Sequence, residues 1–267
     1  MNDKTIKAKG YQLVFNQDFE EKELDLKAWI PFYLPHWSSR EKTKPRFTLE
    51  NGKLILKIDY DQAPWSEEFN GPIRVSSLQT GVFSGPLGTS IGQHRIHPKA
   101  MVREEQIPAH TFLPRYGYFE IRAKASANPD NVSALWMIGY EDRPEHSAEL
   151  CLVEIKGSNV EGNKAVIGYG IRKFQDPELQ DAFFEETFEL DVTEFHTYGM
   201  EWTQEEVSFY IDGKQIRTIG QSPQYPMQLM LNIYEIPQEN SDRKPENYPQ
   251  KFTVDYVKVF QKQELSN

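Results

Sequence analysis

The sequence predicts an all-β fold, an antiparallel β-sandwich, and three observations support this prediction. Several runs alternate apolar and polar residues with the two-residue period of a half-buried strand. The 17 prolines and 16 glycines are scattered along the chain, as many turns require. Helical patterns are few and short. Because 267 residues is a usual size for one sandwich, residues 1–267 are predicted to form a single domain.

Five segments show the alternation most clearly. Two of them flank Asp212-Gly213, a strong hairpin signal because both turn positions require a positive φ. Another follows the turn signal Asn51-Gly52. The predicted strands are residues 53–60, 116–124, 207–211, 214–219 and 252–260.

Short helices are predicted at residues 25–30, 177–183 and 191–194. Four long stretches show no periodic pattern. Loops of such length inside a compact chain usually carry function, so we expect them to form the rims of a binding cleft. These stretches are residues 33–47, 61–73, 85–114 and 237–249.

Composition and charge exclude several classes of protein and partner. The chain has 40 acidic residues against 30 Lys and Arg, a net charge of -10, and no segment dense in basic residues. Nucleic acid is therefore not expected as a partner. A hydrophobic content of 38% with 13% aromatic residues excludes a disordered chain. The single cysteine excludes an internal disulfide.

The sequence shows neither a membrane span nor a signal peptide. No stretch approaches the length of apolar chain that crosses a bilayer, and residues 1–10 are not followed by an apolar core. We therefore expect a cytoplasmic protein without a membrane partner, or a secreted one if a leader has been removed. The oligomeric state is not readable from the sequence.

Two glutamates lie in an otherwise apolar strand predicted at residues 148–155. On a regular strand Glu149 and Glu154 would point to opposite faces. A bulge at Leu152-Val153 would return both carboxylates, together with Cys151, to one face, and one bulge residue would then point into the core. Two carboxylates about 5–5.5 Å apart suit a retaining glycosidase. The plainer alternative is a pair of glutamates on an exposed sheet face.

An aromatic residue lies just upstream of this strand. Trp136 belongs to the apolar segment 133–139. A tryptophan beside two carboxylates suits a platform on which a sugar ring stacks, and core packing is the alternative for any single tryptophan.

Taken in order, these segments resemble glycoside hydrolase family 16, the group of laminarinases, lichenases and agarases. The resemblance spans most of the chain and depends on the succession of short motifs. The motifs are FNQDF (15–19), Leu24-Asp25 with Trp29, ENGKL (50–54), YGYFEIRAK (116–124), ALW (134–136), ELCLVE (149–154), FHTYGMEW (195–202), FYIDG (209–213) and VDYVKVF (254–260).

The resemblance implies a concanavalin-like jelly roll with a cleft on its concave face. It also implies a retaining glycoside hydrolase in which Glu149 is the nucleophile and Glu154 the acid/base. The implied substrate is a β-linked polysaccharide or oligosaccharide, with β-1,3- or β-1,3-1,4-glucan expected first and galactan left open. A lectin-like carbohydrate-binding protein without turnover and an interaction scaffold are the alternatives on the same fold.

Seven residues besides Trp136 are candidate substrate-binding groups, and each has a structural alternative. The polar ones interrupt apolar strands or lie in the long loop before residue 116, so they either line the cleft or are satisfied core or solvated groups. The tryptophan among them either lies in the cleft or packs in the core. The candidates are His94, Arg95, Tyr169, Arg172, Trp202, Asn232 and Glu235.

No cofactor is required by the implied mechanism, and no spacing of His, Cys and Asp indicates a catalytic metal. The resemblance does imply a structural calcium on the convex face, held by two backbone carbonyls and a late aspartate. The matching positions are Asp18, Gly52 and Asp255. For Asp255 a surface strand position is the alternative.

The sequence departs from the family pattern Glu-x-Asp-x-x-Glu at its middle acid, which is Cys151 here. A thiol is a weak hydrogen-bond donor and adds no charge. Because like charges raise the pKa of carboxyl groups, the missing aspartate predicts a lower rate or a more acidic pH optimum. A small residue filling a polar slot is the plainer interpretation.

Cys151→Asp tests this hypothesis. The restored carboxylate is expected to raise the rate or to move the pH optimum of hydrolysis upward. A variant with the same pH–rate profile as the parent would show that the hypothesis is wrong.

Overall fold

The computed structural model of the protein describes residues 3–239 and 241–263. Two antiparallel sheets enclose one apolar core, which confirms the predicted all-β sandwich. The strands are β1 (Tyr11–Gln17), β2 (Arg46–Leu49), β3 (Leu54–Ile58), β4 (Arg74–Gln79), β5 (Gly81–Val82), β6 (Ala109–His110), β7 (Gly117–Lys124), β8 (Asn131–Gly139), β9 (Glu149–Glu161), β10 (Lys164–Arg172), β11 (Ala182–Glu189), β12 (His196–Trp202), β13 (Val207–Ile211), β14 (Lys214–Ile219), β15 (Met227–Glu235) and β16 (Gln250–Lys262).

The strands pair in two large sheets and one small ribbon. The eight-stranded sheet has the order β14-β13-β12-β7-β16-β3-β2, and β1 also pairs with β16. The six-stranded sheet has the order β11-β10-β9-β8-β15-β4, and β5 pairs with β6. Neighbours in these sheets are often far apart in sequence, so the connections cross between the sheets.

Two apolar layers cover the two faces of the six-stranded sheet. Leu135 and Met137 of β8 belong to the core between the sheets. Their neighbours Ala134, Trp136 and Ile138 belong to a second cluster on the outer face, as the alternation of side chains along a strand requires. Long connecting segments before β4 and after β5 cover this second cluster. Its members from these segments are Tyr33, Leu34, Trp37, Trp65, Phe69, Ala100 and Val102.

The predicted hairpin at Asp212-Gly213 and the predicted turn at Asn51-Gly52 are both confirmed. Asp212 and Gly213 have φ of 47° and 75°, and the hairpin joins β13 to β14 at the predicted residues. Asn51 and Gly52 have φ of 54° and 66° and connect β2 to β3. A left-handed conformation at two successive positions matches the right-handed twist of the flanking strands.

The three predicted helices are wrong, because none of these segments continues beyond a turn as a helix. At residues 25–30 the amides of Ala28 and Trp29 both donate to the carbonyl of Asp25, and the pattern stops there. A single turn does not offset the cost of helix nucleation, so a helix this short depends on its packing. Residues 177–183 and 191–194 likewise show turns, and β11 already begins at Ala182.

Helical structure is brief in the part of the chain that the structure describes. It consists of α1 (Asp3–Ala8), α2 (Glu67–Asn70) and the 3-10 turns Pro35–Trp37 and Pro245–Asn247, none of which the periodicity indicated. Among these described residues, no helix is long and apolar enough to cross a membrane.

Gly170 of β10 lies against the neighbouring strand so closely that a side chain has no room. Its φ is 135°, and a Cβ placed there would lie 2.2 Å from the backbone oxygen of Ala182. Gly170→Ala is therefore expected to destabilise the protein by about 2–4 kcal/mol, measured by urea unfolding. Gly220→Ala is the control, because a Cβ added at Gly220 would meet no atom within 4 Å. Equal stability of the two variants would contradict this account.

Candidate active site

The predicted bulge in β9 is present. On the β8 side, Leu135 pairs with Val153 and Trp136 pairs with Cys151, so Leu152 is the extra residue. The pairing with β10 shifts at the same place. The prediction that only one bulge residue faces the core is wrong, since Leu152 and Val153 both belong to the core between the sheets. Two successive residues turn inward, and the residues on either side of them therefore face outward together.

The bulge brings the two glutamates into one cleft on the outer face of the six-stranded sheet. Glu149 and Glu154 both line it, with Arg172 of β10 beside them. One guanidinium nitrogen of Arg172 binds the Glu149 carboxylate, and the other lies 3.8 Å from Oε1 of Glu154. Because a single side chain reaches both carboxylates, the two acids face the same small volume. The Arg172 guanidinium itself lies over the ring of Phe183, 3.5 Å from its centroid.

Burial dominates the electrostatics of Glu149, whose exposed fraction is 5%. The pKa of Glu149 is raised to about 7 by all effects together. Burial is the largest of them and raises the pKa, the positive charge of Arg172 lowers it, and the negative charge of Glu154 raises it. Lys156 provides a second cation, with Nζ 3.5 Å from Oε1 of Glu154 and 2.7 Å from Oε1 of Glu185. The cleft thus holds two carboxylates and two cations in close contact.

Cys151 lies between the two glutamates on the same strand and is fully buried. Burial, followed by the charges of Glu154 and Glu149, raises the pKa of its thiol well above the usual range. The side chain at this position is therefore an uncharged thiol at neutral pH, as the sequence predicted. It contributes to the apolar cluster beneath the cleft rather than to the charges in it.

The cleft has a volume of about 470 Å³ and is lined by both sheet and loop residues. Three of the four predicted rim segments contribute to it. Residues 237–249 do not, since none of the described residues in this range lines the cleft. The lining from the sheet is Val132, Ala134, Trp136, Glu149, Glu154, Lys156, Arg172 and Tyr234, and the lining from connecting segments is Tyr33, Asn70, Ile73, His94, Arg95, Ile96, Phe174 and Ile236.

Four of the predicted binding residues line the cleft: Trp136, His94, Arg95 and Arg172. The rings of His94 and Trp136 meet edge to face with centroids 4.9 Å apart. Asn232 does not reach the cleft and is fully buried. Its side-chain oxygen accepts the indole N–H of Trp136, and its amide nitrogen donates to Oγ of Ser77 at 2.6 Å. Asn232 therefore holds Trp136 in place from below.

Tyr169 and Trp202 lie outside the cleft, so both binding predictions are wrong. Tyr169 is buried between the sheets, 5.1 Å from the ring of Phe209, and its hydroxyl binds Glu186 at the sheet edge. Trp202 belongs to the other sheet, is fully buried, and donates its indole N–H to Oγ of Ser222 at 3.0 Å. Alternation along each strand points both rings inward.

Glu235 is also absent from the cleft, although it lies at the end of β15. It is fully buried, and its carboxylate pairs with Arg243 at 2.7 Å and Arg74 at 3.4 Å while accepting the hydroxyl of Tyr248 at 3.1 Å. Two cations and a hydroxyl satisfy this buried charge. The residue is a structural anchor, and the prediction of a binding role is wrong.

At the predicted calcium position, the carboxylate of Asp255 is paired with two basic side chains. Asp255 pairs with Arg122 and, at 3.5 Å, with Lys53, so a divalent ion at this carboxylate would meet two positive side chains. Asp18 binds Asn16 Nδ2 at 3.2 Å through its side chain, and the backbone at Gly52 has φ of 66° in the β2–β3 turn. Two side chains already provide the positive charge that calcium would bring.

Several cleft residues were missed by sequence reasoning. Tyr33 and Tyr234 contact each other with ring centroids 5.6 Å apart and come from opposite ends of the chain, so no local pattern could have indicated them. Lys156 and Phe174 carried a usable signal. Lys156 follows Glu154 by two positions, and Phe174 follows Arg172 by two positions. Residues two apart on a strand point to the same face of the sheet.

A β-sandwich with two carboxylates paired in an open cleft has the arrangement of a glycosidase. Residues 109–258, more than half of the chain, match the family model of the glycosyl hydrolases family 16. The protein therefore belongs to glycoside hydrolase family 16, and the predicted jelly-roll architecture is confirmed with it.

Curated relatives of the chain include two bacterial glycanases. A beta-glucanase of Acetivibrio thermocellus is 28% identical over 192 residues, covering 70% of this chain and 44% of the relative. The endo-1,3-1,4-beta-glycanase ExsH of Rhizobium meliloti is 27% identical over 136 residues, covering 46% of this chain and 25% of the relative. The chain thus spans less than half the length of these relatives.

Solved structures show the same architecture. A GlcNAcα1-4Gal-releasing endo-β-galactosidase from Clostridium perfringens superposes with a TM-score of 0.78 at 29% identity, covering 95% of this chain and 63% of that one. A laminarinase from Flavobacterium sp. UMI-01 superposes with a TM-score of 0.65 at 19% identity, covering 94% of this chain and all of that one. The second likeness shows the fold alone.

Arg172→Met is expected to raise the pKa of Glu149 above its value of about 7, because the variant removes the cation that favours the ionised carboxylate. The measurement is a pH titration of the side-chain carboxyl carbons by NMR. Arg217→Met is the control, since Arg217 pairs with Glu186 at the sheet edge. An unchanged or lowered pKa of Glu149 in Arg172→Met would contradict the assigned contact.

Proposed function

We propose that the protein is a retaining hydrolase of a β-linked glycan. The observation that carries this proposal is the outward turn of Glu149 and Glu154 into one cleft, with one guanidinium in reach of both. Retention requires the two carboxyl groups to lie about 5–5.5 Å apart, so that one attacks the sugar directly. The strand motif Glu-x-x-x-x-Glu on which they lie is the one that resembles the family pattern.

In the proposed mechanism, a carboxylate oxygen of Glu149 attacks the anomeric carbon as the glycosidic bond breaks. Glu154 donates its proton to the leaving oxygen, and a glycosyl–enzyme ester forms. Glu154, now ionised, takes a proton from water, whose oxygen attacks the anomeric carbon and releases Glu149. The two inversions give net retention, and the proton returns to Glu154.

Arg172 has a defined part in this mechanism. Glu149 must be ionised to attack, yet burial raises its pKa to about 7. The guanidinium opposes the effect of burial and keeps a larger fraction of Glu149 ionised near neutral pH. It also fixes the direction of the carboxylate, so that less orientational freedom is lost on the way to the transition state. We therefore assign Arg172 as a positioning residue as well as a wall of the cleft.

For the substrate, we propose a β-1,3- or β-1,3-1,4-linked glucan. The names of the curated relatives, a beta-glucanase and an endo-1,3-1,4-beta-glycanase, support this choice. A β-galactosidic glycan is the second candidate, because the endo-β-galactosidase of Clostridium perfringens matches nearly the whole chain. The aromatic lining from Tyr33, Trp136 and Tyr234 suits the apolar faces of either sugar.

Glu149→Gln is expected to lower hydrolysis by at least about 1,000-fold, because the amide cannot form the glycosyl ester. The assay measures reducing ends released from laminarin, mixed-linkage β-glucan and β-galactan. Glu189→Gln is the matched control, since Glu189 is an exposed acid of β11 that pairs with Lys164. Full activity in Glu149→Gln would overturn the assignment, and binding without turnover by the parent would favour the lectin-like alternative.

A further inference from the structure

A second, smaller cavity adjoins the cleft at the end nearest Glu149. Its volume is about 290 Å³, and it shares His94, Arg95 and Phe174 with the cleft. The remaining lining consists of Glu141, Ser147 and Gln175. The mechanism above uses none of the residues that are particular to this cavity.

The ends of two strands define where this cavity lies. β9 begins at Glu149 and β10 ends at Arg172, and these two residues are paired across the sheet. Ser147 comes just before the start of β9, and Phe174 comes just after the end of β10. Glu154 lies in the opposite direction along β9. The cavity is therefore on the far side of Glu149 from Glu154.

Backbone strain is concentrated around this cavity. His94, Glu141 and Phe174 have φ of 46°, 59° and 45°. In the described ranges, eight residues other than glycine have a positive φ, and three of the eight line this one cavity. Strained conformations of this kind persist only where the surroundings impose them, and they cluster at ligand-binding sites.

One wall of the cavity offers an apolar face. Phe174 is 48% exposed, which is unusual for a large aromatic side chain, and its ring meets the ring of His94 edge to face at 5.2 Å. His94 in turn contacts Trp136. Burial, with a further contribution from Arg172, lowers the pKa of His94 to about 4, so the imidazole is neutral. The three rings therefore contact one another in series from the cleft to the cavity.

The other walls offer hydrogen-bonding groups. Glu141 accepts the backbone N–H of His94 at 2.7 Å, and burial raises the pKa of its carboxyl to about 8. The guanidinium of Arg95 donates to the carbonyl of Pro98. A carboxyl, a guanidinium and the amide of Gln175 around an aromatic face match the hydroxyl groups and C–H face of a sugar.

We propose that this cavity is a subsite for one sugar ring on the glycone side of the scissile bond, with Phe174 as its stacking platform and Glu141 and Arg95 reading its hydroxyl groups. The inference rests on the proposed function. Because Glu154 protonates the leaving oxygen, the leaving part of the glycan lies toward Glu154. A cavity beyond Glu149 therefore receives the other part, and its small volume admits one ring or one branch rather than a continuing chain.

The subsite is tested by binding, in a Glu154→Gln background that prevents turnover. Calorimetry measures the affinity for ladders of laminari-, mixed-linkage and galacto-oligosaccharides of increasing length. We expect affinity to rise at the oligosaccharide length that fills the cavity. At that length and beyond, Phe174→Ala is expected to lower the affinity about tenfold. Phe174→Tyr keeps the aromatic face and is expected to restore the binding. Leu26→Ala, which truncates an exposed apolar side chain outside the cleft, is the control.

The outcomes separate this inference from the proposed function. If the parent hydrolyses these glycans and the variants Phe174→Ala and Glu141→Ala have unchanged affinities and products, the subsite is overturned and the proposed hydrolase function stands. If the parent hydrolyses these glycans and the two variants release shorter glycone products than the parent does, the result supports the subsite. If the ladder binds without hydrolysis and Phe174→Ala still weakens binding, the cavity is a sugar site, but the enzymatic proposal and the assignment of the cavity to the glycone side are both overturned. A parent that neither binds nor hydrolyses any of these glycans overturns both.

Discussion

The extra residue in β9 is the constraint on which the site depends. With Leu152 and Val153 both turned into the core, the strand changes phase, and Glu154 joins Glu149 and Cys151 on the outer face. Without that change, one carboxylate would be buried among apolar side chains at a high free-energy cost. The apolar core thus holds the bulge in place, because two buried side chains resist the return to a regular strand.

The charges at the cleft follow from this geometry. Two carboxylates in a small, largely buried volume repel each other, and the neutral thiol of Cys151 adds no third negative charge. Arg172 and Lys156 come from positions on β10 and β9 that face the same way as the acids. The result is a balanced cluster inside a protein whose net charge is -10. Arg172 lowers the pKa of the buried Glu149, so that a fraction of this carboxyl is ionised near neutral pH although burial raises its pKa to about 7.

The cleft is also shaped by what covers the outer face of the six-stranded sheet. Connecting segments bury a second apolar cluster there and leave the cleft around Glu149 and Glu154 open. Asn232 supports Trp136 from below, while His94 contacts it from above. At one end the covering segments adopt strained conformations around Glu141 and Phe174. The floor of the site is therefore rigid sheet, and its ends are set by loops.

The sequence by itself determined the clearly alternating strands, the two turns and the bulge, because alternation, turn residues and the spacing of Glu149 and Glu154 are local signals. Only the tertiary structure decided which way each remaining side chain points. Tyr169 and Trp202 occupy strands that looked suitable, yet both rings pack in the core between the two sheets. The contact of Arg172 with Glu149 depends on the register of β10 against β9. Register and the choice of sheet are set by packing between distant segments, and no local pattern encodes them.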